Sequence, residues 1–195
     1  LINNLKQIID VIDQYLSYCG LPELEKSRKV SNKVRDKAII LIGFAGGFRR
    51  SEIVNIDYDD IEFVSEGIKI FIKRSKTDQS GEGMIKAIPY FENKSYCPVL
   101  ALKHWIEFSE IKSGKIFDIS DKSVALIIKK YASLAGLDAN KYAGHSLRSG
   151  FATSAAESGA EERNIMAMTG HKTTQMVRRY IQEANLFKNN ALNKI

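Results

Sequence analysis

Residues 34–45, Val-Arg-Asp-Lys-Ala-Ile-Ile-Leu-Ile-Gly-Phe-Ala, become apolar on every side after their first helical turn. A helix without a polar face has to lie inside the core, so the rest of the chain must pack around this one. Gly46-Gly47 predicts its end. The apolar run from Ala38 to Phe48 is broken by Gly43, Gly46 and Gly47 and falls short of the roughly 18 residues a membrane span requires. The sequence therefore predicts neither a membrane partner nor a secretory leader. The start, Leu1-Ile2-Asn3-Asn4, lacks an initiator Met, which predicts a fragment of a longer protein.

Leu5, Ile8, Ile9, Val11, Ile12 and Leu16 predict an amphipathic helix over 4–18, halted near Gly20 and Pro22. A polar loop follows to about Lys33. Beyond the central helix, Arg49-Arg50-Ser51-Glu52 opens a short helix that returns Ile53, Val54 and Ile56 to the interior. From Glu52 to Gly67 there are six acids and no bases, an acidic and solvated shoulder. The period then changes to two. Ile61 and Phe63, then Ile68, Ile70 and Ile72, then Ile85 and Ala87 flanking Lys86, predict half-buried strands, with Ser75 to Gly83 as an exposed hairpin loop. Helical periods resume at 99–108, 123–134, 146–157, 162–168 and 174–180. The expected fold is mainly α with a small three-stranded antiparallel β-sheet (α+β), as one domain over 1–195.

Composition bears on the partner. The chain has 29 Lys plus Arg against 23 Asp plus Glu, a net charge of +6. That surplus permits a polyanionic partner without requiring one. Its distribution says more: residues 141–195 hold eight bases and four acids. The two cysteines, Cys19 and Cys97, form no disulfide framework and no zinc-ligand spacing, which fits a reducing, cytoplasmic setting.

Three clusters carry chemistry: Gly47-Phe48-Arg49-Arg50-Ser51-Glu52, then Gly144-His145-Ser146-Leu147-Arg148, then Thr169-Gly170-His171 followed by Tyr180. Each alone reads more simply: Arg49 and Arg50 as solvated bases after a helix, His145 as a helix-start residue, Tyr180 as a packing residue and Lys76 as a hairpin lysine. As an ordered set they resemble the catalytic domain of the tyrosine recombinases, the phage integrase family of site-specific DNA strand-exchange enzymes. The resemblance covers nearly the whole chain and includes the family's GLRxSE-like box, its HxLR box and its LGH-to-Tyr segment. Phe48 and Thr169 stand where the family often has Leu, and neither is read as touching a catalytic position. The helical core-binding domain that family members generally carry before this one is expected to be missing from the chain.

The resemblance implies site-specific recombination or integration of double-stranded DNA through a covalent 3′-phosphotyrosyl intermediate, with no cofactor, neither ATP nor metal. Cleavage builds negative charge on the phosphate oxygens, and Arg49 and Arg148 suit a bidentate clamp for it. Lys76, in the hairpin, is the expected general acid for the leaving 5′ oxygen, ahead of Lys73 and Lys86, which lie closer to or within strands. Tyr180 is the nucleophile by resemblance, His145 its general base, and His171 a hydrogen-bond donor to a phosphate oxygen. Glu52, one turn after Arg49, supports that arginine. Residues 181–195, with Leu186, Phe187, Leu192 and Ile195, are expected to form a tail that docks on another protomer on DNA. The resemblance further implies a bacterial or phage-encoded protein, associated with the nucleoid when bound to DNA. Two alternatives stay open: a type IB topoisomerase-like enzyme using the same residues, and a DNA-binding module that has the fold without turnover.

Overall fold

The computed structural model describes residues 2–18, 28–73, 83–171 and 173–185. Among them, α1 (Ile2–Tyr18), α2 (Arg28–Ala45) and α3 (Arg50–Val54) precede strands β1 (Ile61–Val64), β2 (Gly67–Ile72) and β3 (Met84–Pro89). Then come α4 (Pro98–Ser109), α5 (Asp121–Leu134), α6 (Ser146–Glu157), α7 (Glu162–Thr169) and α8 (Thr174–Asn185). The expected class, helices with one small antiparallel sheet, is the class found. The expected hairpin loop, with Lys76, and the tail beyond Asn185 lie outside the described residues.

Helix α2 is the axis of the core. Ile39, Ile40, Leu41 and Ile42 are almost wholly inaccessible, and α1, α3, α4, α5 and α6 all pack against α2. The helix begins at Arg28, not near Val34 as its polar first residues suggest. Val30 and Val34, one turn apart, are both buried, and the Lys33 ammonium lies 3.8 Å from the centre of the Tyr15 ring and 5.4 Å from that of Tyr131. Apolar stems and cation–π contacts thus draw a polar-looking segment into the helix. The one carboxylate of α2, Asp36, is buried but satisfied. It accepts from the Tyr131 hydroxyl at 3.0 Å and from Arg35 at 2.7 Å.

The sheet has the order β1-β2-β3, antiparallel throughout. Its third strand reverses the expected phase. Ile85 is 63% exposed and Ala87 also faces outward, whereas Lys86 is 0% exposed beside buried Ile88. Pairing of Lys86 with Ile70 sets this, because directly paired residues share a face and Ile70 points into the core. Phe63, on edge strand β1, is also more exposed than its alternation suggests. The acidic shoulder is not simply solvated. Lys73 Nζ sits 2.9 Å from carboxylate oxygens of both Asp57 and Asp60, Lys115 lies 3.1 Å from Asp57, and Asp60 is buried.

Ala152, Ala156, Ile165 and Val177 form a second, smaller hydrophobic cluster where α6, α7 and α8 meet, with Tyr180 and Ile181 packed against it. No helix among the described residues is long and apolar enough to cross a membrane.

Candidate active site

The site is built on the turn that ends α2. Gly47 takes φ +54°, in the left-handed region, and a Cβ there would lie 2.9 Å from the Phe151 ring and 3.1 Å from the Thr169 methyl. Only glycine fits. The turn presents two carbonyls to incoming cations: Arg148 donates from Nη1 to the Gly47 oxygen at 3.0 Å, and Lys86 donates from Nζ to the Gly46 oxygen at 2.8 Å. Immediately afterwards, the Arg49 backbone N–H donates to Glu52 Oε2 at 2.9 Å, while the Arg49 guanidinium pairs with Glu52 Oε1. Lys86 Nζ lies 3.5 Å from the same Oε2. One buried carboxylate is therefore shared between an arginine and a lysine. Burial alone would raise the Glu52 carboxyl, but Lys86, the Arg49 N–H and the Arg49 guanidinium outweigh it and hold Glu52 below its ordinary value.

Arg148 enters from the first turn of α6 and is 5% exposed. Its Nη2 is buried and has no hydrogen-bond partner among the described residues. Burial and the neighbouring Arg49 charge lower its pKa to about 10. A buried, unsatisfied guanidinium nitrogen costs stability unless something binds it, and an anion suits it best.

Helix α7 ends at Gly170, whose φ of +64° turns the chain back so that His171 faces the same region. Thr169 Oγ1 donates to the Ile165 carbonyl at 2.6 Å and stands 2.9 Å from His171 Nδ1. A hydroxyl has one proton. With that proton on Ile165, Thr169 must accept from His171, so the ring carries its hydrogen on Nδ1 and a lone pair on Nε2. Burial, then the charges of Arg148, Arg49 and Lys86, push the His171 pKa down to about 4. The ring is neutral near pH 7. The Tyr180 ring lies 6.3 Å away, centroid to centroid, inclined by 28°.

These features give a direct expectation. In a long-range ¹H–¹⁵N spectrum of the free protein, His171 will show a protonated Nδ1 and a bare Nε2, and will titrate with a midpoint near pH 4. Because the unfolded chain takes up that proton near the ordinary value of 6.5, the stability linked to the neutral ring is complete above 6.5 and is lost as the pH falls toward 4. Occupation of the arginines by an anion offsets their field and raises the midpoint. A protonated Nε2 in the neutral free protein would refute the assignment.

The fold thus brings Arg49, Glu52, Arg148, His171 and Tyr180 into one region. His145 is exposed at the N-terminal end of α6, its carbonyl accepting from the Ser149 N–H. Lys76 lies outside the described residues. Of the two other lysines considered, Lys73 is held by two carboxylates, whose hydrogen bonds raise its pKa, and Lys86 is enclosed. The positions read as departures from the family pattern both touch the site. Thr169 meets His171, and the Phe48 ring receives the Lys86 ammonium at 4.2 Å from its centre. A lysine in the middle of a strand reads as solvent-facing, so nothing local in the sequence marks Lys86.

Residues 21–186 match the sequence profile of the phage integrase family. The chain belongs to that family. As a phage integrase family member it is 49% identical over 187 residues to the "Integrase/recombinase xerD homolog" of Selenomonas ruminantium, a match covering 90% of this chain and 54% of that protein. It is 31% identical over 156 residues to a tyrosine recombinase of Agathobacter rectalis, covering 78% of this chain and 49% of the relative. The chain spans about half the length of these curated relatives. Among solved structures, XerH site-specific recombinase in a post-cleavage complex with a difH substrate superposes with a TM-score of 0.70 at 18% identity, over 96% of this chain and 52% of that one. The catalytic domain of bacteriophage HP1 integrase gives 0.56 at 17% identity, over 100% of this chain and 96% of that one. These superpositions establish the catalytic-domain fold of the family.

Proposed function

We propose that this chain is the catalytic domain of a site-specific DNA recombinase or integrase, cleaving and rejoining strands through Tyr180. The observation that carries the reading is the buried Arg148 Nη2, without a hydrogen-bond partner among the described residues, in the region where Arg49, His171 and Tyr180 meet. Arg49 and Arg148 hold the non-bridging oxygens of one phosphodiester. The Tyr180 phenol gives up its proton and its oxygen bonds to phosphorus; the bond to the 5′ oxygen breaks, and that oxygen takes a proton from Lys76. A 5′ hydroxyl of another strand reverses the step, with one ester exchanged for another and no net hydrolysis.

His145 is the motif's base for the phenol. The Nε2 lone pair of His171 and the nearness of its ring to Tyr180 favour a second reading, in which His171 accepts that proton. Loss of cleavage in His171→Ala with retention in His145→Ala would select it. If His171 instead donates to a phosphate oxygen from Nε2, it must first take up a second proton, which a bound anion promotes. Lys76 as acid is supported by the engagement of Lys73 with Asp57 and Asp60 and by the enclosure of Lys86. The apolar residues Leu186, Phe187, Leu192 and Ile195 are proposed to dock on a neighbouring protomer on DNA. Deleting 184–195 should then impair synapsis more than cleavage.

The test is a nicked duplex carrying the recombination site of the element that encodes the chain. A denaturant-resistant adduct at the DNA 3′ end, mapped by mass spectrometry to Tyr180, is the expected result. No adduct would reduce the chain to a binding module, and plasmid relaxation without exchanged products would point to topoisomerase chemistry.

A further inference from the structure

We infer that Lys86 is a positioning residue for strand cleavage, tying β3 to both phosphate-clamping arginines through Glu52 and the Gly46 and Gly47 carbonyls. The inference rests on the function proposed above.

Lys86 is the most fully enclosed charge in the described structure, at 0% exposure. Its ammonium donates to the Gly46 oxygen at 2.8 Å, lies 3.5 Å from both the Gly47 oxygen and Glu52 Oε2, and sits over the Phe48 ring. A buried ammonium is costly, and an unbranched apolar side chain of the same length would fill the space without that cost. The charge must be explained by what it holds.

It holds two things. By engaging the Gly46 carbonyl it orients the adjoining peptide, whose Gly47 oxygen is the acceptor for Arg148 Nη1. By standing beside Glu52 Oε2, which also accepts from the Arg49 backbone N–H, it competes with the Arg49 guanidinium for that oxygen, and the guanidinium pairs with Oε1. Without Lys86 the nearly inaccessible carboxylate is free to grip Arg49 with both oxygens, drawing the guanidinium away from a phosphate. Lys86 also holds β3 itself. It is the third residue of β3, and the chain between β2 and β3 carries Lys76. The same side chain therefore anchors the strand that follows the loop carrying the proposed acid to the turn that bears the clamp.

Lys86→Met, Glu52→Gln and the double variant are compared with the unaltered chain in single-turnover adduct formation at saturating nicked duplex, alongside duplex affinity and melting temperature. Lys86→Met should remain folded, bind duplex within about twofold of the unaltered chain and cleave about 10²-fold more slowly, the cost of misplacing the clamp. The double variant should be no slower than the slower single variant, because both act through Arg49. On a duplex with a neutral methylphosphonate at the scissile position the Lys86→Met deficit should shrink by about tenfold, since less charge remains to be clamped. Should Lys86→Met not fold, Lys86→Arg, which keeps the donors, should cleave within about tenfold of the unaltered chain. Cleavage by Lys86→Met close to the native rate, a deficit matched by lost affinity or lost folded fraction, an undiminished deficit on the neutral linkage, fully independent effects of the two substitutions, or inactive Lys86→Arg beside unfolded Lys86→Met would each overturn the inference. Absence of an adduct with the unaltered chain is a separate result: it removes the function on which the inference rests, and the inference with it.

Discussion

Tyr180→Phe will bind duplex DNA as the native chain does and will leave no strand covalently attached to protein. The substitution removes one oxygen from a half-buried ring packed against the small cluster of α6, α7 and α8, and leaves the ring stacked beside His171. Packing and charge are conserved, so neither the fold nor phosphate binding should change. Chemistry has no such reserve: without the phenolic oxygen there is no atom to carry the phosphorus–oxygen bond. The loss should be total, unlike the partial losses that follow removal of a charge-stabilising group. A denaturing gel of protein linked to labelled DNA checks this. An adduct surviving in Tyr180→Phe would place the nucleophile elsewhere.

Arg148→Ala should slow adduct formation by about 10²- to 10³-fold, the usual cost of deleting one preorganised donor to a developing anion. Arg148→Lys should recover little, because an ammonium cannot offer two coplanar donors to a phosphate. Arg148→Ala should stay folded, for a specific reason. Arg148 makes a 3.0 Å hydrogen bond to Gly47 but also buries an Nη2 that has no partner among the described residues, and it lies close enough to Arg49 for the two charges to oppose each other. Its removal loses a bond and relieves a buried charge, two effects of opposite sign. The melting temperature should therefore move far less than the rate, and duplex affinity, spread over many phosphates, should weaken modestly. Cleavage by Arg148→Ala within a few-fold of native would remove Arg148 from the clamp.

Much of this architecture is legible in the residues themselves. The all-round apolar helix, the change to a two-residue period and the return to helix follow from side-chain spacing, and α6 falls where its pattern places it. The start of α2 was hidden because Lys33 is polar by type yet joins the core through its stem and two rings. The phase of β3 was hidden for a related reason. Ile85 and Ala87 are more apolar than Lys86, and only the pairing with Ile70, a contact made far along the chain, turns the lysine inward. The candidate site shows the same division. Arg49, Arg148, His171 and Tyr180 are marked by motif, whereas Thr169 and Lys86 owe their roles to hydrogen bonds made in three dimensions.

Tyr180 rides on the small cluster formed by Ala152, Ala156, Ile165 and Val177, while Arg49 and Lys86 are seated in and around the large one. Apolar burial is what resists local opening, so the small cluster under α8 should open more readily than the large one. Under the function proposed here, a partially loosened molecule would lose the Tyr180 oxygen before the Arg49 and Lys86 region opens. Under that same proposal, mild damage would end in harmless occupancy, not in stray breakage of the polyanion.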